Sequence, residues 1–124
     1  MADIQIPNGA LSLTSSSGNV AAATATATFA APANGTNYMT GFIITGAGAT
    51  AASVVVATIT GLIGGTMSFV VTVPAGATTA ITPLAVTFPI PVAAAAPLTA
   101  ITLTLPSLGA GNTNAAVTMT GFRL

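Results

Sequence analysis

Apolar and polar residues alternate along most of this chain with the period of two that is typical of β-strands with one buried face. The pattern is clearest between Ser53 and Val73, where two such runs flank a glycine-rich turn. In the second run the odd positions from Met67 to Val73 are apolar, and Ser68 and Thr72 fall on the opposite face. Glycines between the runs supply the positive φ angles that a tight reversal requires. The stretch therefore predicts a central β-hairpin.

This hairpin also contains an uncharged segment, Val54 to Val73, that is long enough for a transmembrane helix. Gly61 and Gly65 have the G-x-x-x-G spacing of packed membrane helices. However, the segment is rich in Val, Ile and Thr, and no Lys, Arg, Trp or Tyr flanks it to anchor a helix at a membrane interface. A β-hairpin is the favoured interpretation, and we expect no membrane partner.

Together with the hairpin, the other alternating runs bring the number of predicted strands to seven, separated by Gly- and Pro-rich loops. One or two further short strands are predicted near the N-terminus. This organisation is typical of an all-β fold, an antiparallel β-sandwich that is jelly-roll-like. Residues 19–124 are expected to form the sandwich domain. Residues 1–18 are expected to form an extended N-terminal arm that pairs with the sheet or reaches a neighbouring subunit, the alternative being a frayed terminus. The residues expected to face the core are Phe29, Phe42, Ile44, Val55, Ile59, Met67, Phe69, Val71, Leu84, Val86, Phe88, Ile101, Leu103, Leu105, Val117 and Met119.

One short sequence occurs twice: Met39 to Phe42 and Met119 to Phe122 both read Met-Thr-Gly-Phe. The flanking residues differ, so the recurrence does not indicate a structural repeat. Two strands in similar environments, with glycine where another backbone comes close, would explain it. Chance recurrence in a chain this rich in Thr, Gly and Ala is the alternative.

The chain carries almost no charge. Charged residues make up 2% of it, one basic and one acidic, whereas about 25% is usual in soluble domains. A single arginine cannot neutralise a run of phosphates, which excludes nucleic-acid binding of the usual electrostatic kind. So uncharged a surface also lacks the repulsion that keeps proteins apart in solution. We therefore expect partner molecules to cover much of it.

The side chains that catalysis requires are missing from the sequence. It has no His, Cys or Lys, and Asp3 is its single side-chain carboxylate. A Ser or Thr nucleophile would lack a base, paired-carboxylate chemistry would lack a second carboxylate, and a metal ion would lack ligands. The sequence predicts that the protein is not an enzyme and binds no cofactor, metal ion or small-molecule substrate.

Five residues are candidates for contacts with other molecules. Asp3 and Arg123 lie near opposite ends of the chain, and such ends are often close in a domain, so that the two side chains could pair. A surface ion pair adds at most about 1 kcal/mol of stability, which favours contacts with a subunit or partner instead. In the hairpin, Val54, Val56 and Val70 face outward and are too apolar for open water. We expect them to contact a second subunit.

Outward threonines recur on several predicted strands. Flat arrays of hydroxyl groups occur on ice-binding surfaces and can bind glycans, although sugar sites usually add aromatic platforms, and this chain has five Phe, one Tyr and no Trp. We favour the simpler explanation that threonine is the uncharged residue best suited to an exposed strand face. The rows are Thr24, Thr26 and Thr28; Thr58 and Thr60; Thr102 and Thr104; and Thr118 and Thr120.

Three segments together resemble small virion proteins of tailed bacteriophages: TGFIITGAGATAASVVVATITGLIGG, TVPAGATTAITPLAVTFP and LPSLGAGNTNAAVTMTGFRL. The resemblance covers roughly Asn37 to Leu124 and consists of composition and loop order. It implies a decoration (cement) protein on the capsid surface of the virion, often trimeric, with a jelly-roll-like body that binds the major capsid protein and stabilises the head. Proteins of this class act through surfaces, so the resemblance implies no individual functional residues.

The leading prediction is therefore a non-enzymatic, self-associating structural protein of the virion. One alternative is a glycan-binding or adhesin-type β-sandwich module on a virion or cell surface, which binding to a glycan array would reveal. A second is an ice-binding or amyloid-like surface protein, which thermal hysteresis or fibre diffraction would reveal.

Overall fold

The computed structural model describes residues 6–124, and over this range the chain forms eight strands and no helix. The strands are β1 (Leu11–Ser16), β2 (Ala25–Phe29), β3 (Asn37–Ala47), β4 (Ser53–Thr60), β5 (Met67–Val73), β6 (Leu84–Ala93), β7 (Ile101–Leu105) and β8 (Asn114–Arg123). The prediction of an all-β fold is confirmed. Each predicted strand from residue 19 onward has its counterpart among β2 to β8.

The strands form two antiparallel sheets that enclose one core. Sheet A has the strand order β1-β8-β3-β6, and sheet B has the order β2-β7-β4-β5. Pairing follows a simple rule: β1 pairs with β8, β2 with β7, β3 with β6 and β4 with β5. A chain paired in this way is a long hairpin rolled into two sheets, which is the jelly roll. The predicted jelly-roll-like β-sandwich is confirmed.

The predicted central hairpin is the turning point of this rolled hairpin. Its strands pair in unbroken register from Ser53 with Val73 to Ile59 with Met67. Between them Gly61 has a φ of 86°, the left-handed backbone conformation that the reversal needs. The alternative of a transmembrane helix over this segment is wrong. In the range 6–124, no helix has the length and apolar character needed to cross a membrane.

The core between the sheets contains every residue that the sequence predicted to face inward. Most of these side chains are buried. Alternation along each strand explains the result, because strand geometry sends successive side chains to opposite faces. The inward residues that are only half-buried are Val55, Met67, Phe69, Leu84, Val86 and Phe88, and all but Val55 lie on β5 or β6.

Two segments differ from the simplest interpretation of the sequence. The alternation of Leu84, Val86 and Phe88 predicts a strand that Pro89 and Pro91 end, but β6 continues to Ala93, with a register shift where it pairs with β3. β6 is an edge strand, so a proline there need not remove a hydrogen bond from the sheet. In the predicted arm, Leu11–Ser16 pairs with β8 along its whole length as β1. Residues 1–5 of the arm, including Asp3, lie outside the described residues.

A buried asparagine holds the chain together at the beginning of β3. Asn37 is fully buried, and its Nδ2 donates hydrogen bonds to the carbonyl oxygens of Ala30 (3.0 Å) and Thr99 (3.2 Å). Its Oδ1 accepts a hydrogen bond from Nε of Arg123 at 3.0 Å. One side chain thus joins the ends of β2 and β8 to the loop before β7.

A second buried asparagine does the same at the other end of β3. Nδ2 of Asn112 donates to the carbonyl oxygens of Ala47 (2.7 Å) and Asn114 (2.8 Å). Its Oδ1 accepts from the backbone N–H of Ala22 at 3.2 Å, which fastens the β1–β2 connection. Buried polar groups are stable only when they are hydrogen-bonded, and both asparagines meet that condition.

Candidate interaction surface

An exposed apolar patch lies on the outer face of the β4–β5 hairpin. Val56 and Val70 are directly opposite one another, and Val54 is the next outward residue along β4. The exposed fraction is 63% for Val54, 44% for Val56 and 69% for Val70. A sheet face turned only toward water usually carries polar side chains at such positions. The three valines predicted to make contacts form one continuous surface, which we call the valine patch; its contact with another subunit stays a prediction.

The rest of the outer face of sheet B is covered by hydroxyl groups. Threonines of β2, β7 and β4 stand opposite one another across the sheet, and all are exposed or half-buried. The outer face therefore has an apolar part at the start of β4 and the middle of β5, and a hydroxyl part over the remaining strands. The two hydroxyl rows are Thr26, Thr104, Thr58 and Ser68, and Thr28, Thr102 and Thr60.

Arg123, the predicted polar contact, lies far from the valine patch. It ends β8, and its bond to Asn37 places it at the beginning of β3. β4 begins where β3 ends, so Val54 is at the opposite end of the sandwich. The structure thus gives Arg123 a partner within the chain and does not bring it together with the valines. The other polar candidate, Asp3, lies outside the described residues.

The twice-occurring Met-Thr-Gly-Phe sequence lies on two neighbouring strands of sheet A. Gly41 is opposite Thr120, and Met39 is opposite Gly121. A Cβ atom on Gly121 would collide with the carbonyl oxygen of Tyr38. The close backbone approach predicted for these glycines is confirmed. Both copies therefore occupy similar environments in the centre of the sheet.

A shallow groove of about 180 Å³ lies over Gly41 on the outer face of sheet A. It forms where glycine leaves the face without a side chain, and hydroxyl groups of Thr87, Thr118 and Thr120 border it. Phe42, the aromatic residue in its lining, is buried. The groove has hydroxyl groups that could bind a polar ligand, but it lacks an exposed aromatic platform.

The core is incompletely covered along the side formed by β5 and β6, which we call the open side. Phe69 and Phe88 are half-buried there, although both face inward. Their rings flank the buried ring of Phe42, with centroid distances of 4.8 Å to Phe69 and 6.2 Å to Phe88. Apolar side chains thus reach the surface at an edge of the sandwich as well as on its face.

A second groove, of about 280 Å³, runs along β5 on the open side. Val70, Val71 and Thr72 form one wall, and Thr82 to Leu84 form the other. We call it the β5 groove. Because Val70 belongs to both the β5 groove and the valine patch, the two features are continuous with one another.

Comparison with known proteins found no relative of this chain. Protein-family models, curated proteins and solved structures were all compared with the chain, and none matches it.

Sequence reasoning missed the open side and the two buried asparagines. Period-two alternation shows that Phe69 faces inward, but its half burial depends on β5 being an edge strand, and strand order is not contained in the alternation. The asparagines did leave a signal. Asparagine is uncommon inside strands, so Asn37 at the head of an apolar run marks a position with special hydrogen bonding.

Proposed function

We propose that this protein is a non-enzymatic structural component of a virion: a decoration (cement) protein on the capsid surface. It self-associates, as a trimer, and binds the major capsid protein to stabilise the head. The observation that carries the proposal is the valine patch, an exposed apolar surface on a chain that has almost no charge.

The fold supports this proposal without deciding it. Double-sheet jelly rolls with eight strands are used by viral capsid proteins, and also by lectins and cupins. Function has to be argued from the surface, because one fold serves many functions. A cupin-like metal or catalytic site would need ligands or acid–base residues, and the sequence has no His or Cys.

The chemistry of the surface suits repeated contacts on a lattice. Burying one partly exposed valine contributes on the order of 1 kcal/mol, so the three valines of one copy would bind only weakly. A trimer that engages several capsid subunits at once gains from effective concentration, and weak contacts then add up to stable attachment. Such attachment needs neither catalysis nor long-range electrostatic attraction.

Electron microscopy of particles from the source material tests the proposal. We expect density for a jelly roll of this size at regular positions on an icosahedral lattice. With particles stripped of the protein, purified wild-type chain should bind again, whereas the variant Val54→Lys should bind at least tenfold more weakly. Ile43→Lys is the matched control, because it adds the same charge at a 50% exposed position on the other sheet. Particles without the chain, or equal binding by both variants, would contradict the proposal.

A glycan-binding or adhesin-type module is the second candidate, favoured by the threonine-bordered groove over Gly41. Its ligand would be a neutral sugar bound through hydroxyl groups, since the groove contains no charged side chain. A glycan array probed with the isolated protein tests this function. Saturable binding that Thr87→Val weakens would support it, and an array without signal would exclude the sugars displayed.

A further inference from the structure

The two sheets have four edge strands, and three of them are protected from pairing with another chain. β6 carries Pro89 and Pro91, which cannot donate backbone hydrogen bonds. β2 is only five residues long, and the backbone N–H of Thr28 donates to Oγ of Ser15 on β1 at 3.1 Å. β1 and β2 thereby cover one another along the same side of the sandwich.

β5 is the edge strand without such protection. Its seven residues, Met67–Val73, include no proline, glycine or charged residue. Within residues 6–124, no backbone hydrogen bond joins β5 to anything other than its own sheet. A long, uncharged, apolar edge of this kind presents unpaired N–H and C=O groups that can accept another strand. The β5 groove leaves space beside this edge, opposite Val70, Val71 and Thr72.

The sequence of β5 is complementary to itself in one antiparallel register. With Val70 facing its own copy, Ser68 stands opposite Thr72, so that hydroxyl groups meet on the outer face. On the inner face Phe69 stands opposite Val71, so that apolar groups meet. Moving the two-fold axis by one residue, to Phe69 or Val71, would place Val70 opposite Ser68 or Thr72. Matching cross-strand pairs are the unit of sheet stabilisation, which favours the register centred on Val70.

Charge favours a second copy as the occupant of the β5 edge. An ordinary protein surface would bury charged groups against the uncharged β5 edge, and their desolvation would find no compensation there. A second β5 brings no charge and the same pattern of side chains. We propose that β5 is a docking edge that pairs antiparallel with β5 of a second copy, with Val70 at the two-fold axis.

This pairing would extend sheet B from one copy into the other. Val56 is opposite Val70 within each copy, so the two valine patches join into a single row across the axis. The half-buried Phe69 of each copy is covered by Val71 of the other. The contact is two-fold and therefore distinct from the head-to-tail contact that closes a trimer. It does not depend on the virion role.

A single cysteine at the axis tests the geometry. The chain has no cysteine, so Val70→Cys introduces one thiol per copy. Directly paired antiparallel residues have Cα atoms about 4.5–5.5 Å apart, a separation that a disulfide can span. Under mild oxidation we expect most Val70→Cys protein to become a covalent dimer. The control is Ile43→Cys, because Ile43 is exposed on β3, which is not an edge strand; this variant should form at least tenfold less covalent dimer.

A charge at the axis tests the energetics. Val70→Lys places two like charges directly opposite each other, and we expect the dimer dissociation constant to rise at least tenfold in light scattering. Ile43→Lys adds the same charge elsewhere and should leave it unchanged. Wild-type protein that stays monomeric at all concentrations, or equal crosslinking of the two cysteine variants, would overturn the proposal. So would hydrogen-exchange protection of β5 that appears only after capsid particles are added. These readouts are independent of particle binding, which tests the proposed function.

Discussion

The β1–β2 side of the sandwich and the β5–β6 side are made from edge strands of the same two sheets, yet they cover the core to different extents. On the β1–β2 side, which we call the closed side, the inward residues Ala25, Ala27 and Phe29 of β2 are at most 3% exposed, while Leu13 of β1 is half-buried. On the open side, the inward residues of β5 are half-buried in its first half, at Met67 and Phe69, and buried in its second half, at Val71 and Val73. Position at a sheet edge therefore does not by itself determine burial.

Side-chain size and cross-sheet bonding explain the contrast. The alanines of β2 project little, which lets β1 approach closely enough for the hydrogen bond from Thr28 to Ser15. On the open side, the bulkier phenylalanines of β5 and β6 pack around the ring of Phe42 instead. A side closed within the chain needs no partner. A side left open with apolar groups at its rim is suited to closure by another molecule, as we propose for β5.

The largest expected effect on the free energy of unfolding comes from replacing a leucine by alanine, a change that can be made once on each side. Leu103 on β7 is fully buried under the closed side, and Leu103→Ala should lower the free energy of unfolding by about 2–5 kcal/mol. Leu84 on β6 is half-buried beside the β5 groove, and Leu84→Ala should cost about 1 kcal/mol in the monomer, because less apolar surface is lost from the core. Denaturant unfolding of dilute protein measures both.

The same pair of variants also separates stability from association. Leu84→Ala should weaken self-association more than Leu103→Ala does, since only Leu84 borders the β5 groove. Equal losses of stability at the two positions would show that the open side packs as tightly as the closed side, and the comparison would then be wrong.

An intermediate effect is expected for the asparagine that fastens the closed side. Asn112→Ala removes the acceptor of the Ala22 N–H and the donor to the carbonyl oxygens of Ala47 and Asn114. Leaving such groups without partners should lower the free energy of unfolding by about 2–3 kcal/mol. Denaturant unfolding measures it.

The matched control is Asn114→Ala. That side chain is exposed and, among residues 6–124, hydrogen-bonds only to the neighbouring Thr113 hydroxyl; the backbone carbonyl that Asn112 uses is retained. Asn114→Ala should change the free energy of unfolding by no more than about 0.5 kcal/mol. Similar values for the two variants would mean that Asn112 does not hold the β1–β2 connection.

The sequence predicted the strands well because strand periodicity is a local property. Each residue from Phe69 to Val73 reveals its face by its neighbours, and the exposure of Val70 follows from the same alternation. The predicted contact residues Val54 and Val56 are exposed for that reason. Whether a partner covers them is a property of an assembly, which the alternation does not contain.

Features that join distant residues could not be predicted in this way. Arg123 bonds to Asn37, which lies 86 positions earlier, and no local pattern links them. The open side likewise depends on strand order, because β5 and β6 become edge strands on the same side only after the chain has rolled up. From the sequence alone, the prolines of β6 predict the end of a strand, because their tolerance at an edge depends on that order as well.

The smallest expected effect concerns the hydrogen bond that bridges the sheets on the closed side. Ser15→Ala leaves the backbone N–H of Thr28 without its acceptor and should cost about 1 kcal/mol, with faster hydrogen exchange at that amide. Ser12→Ala is the control, because Ser12 is exposed on the same strand and its side chain has no hydrogen bond to residues 6–124; its effect should be near zero. If Thr28 exchanged equally slowly in both variants, side-chain size alone would distinguish the two sides. The small alanine side chains would then account for the close approach of β1 and β2. In that case Phe69→Ala should let β5 and β6 approach one another more closely.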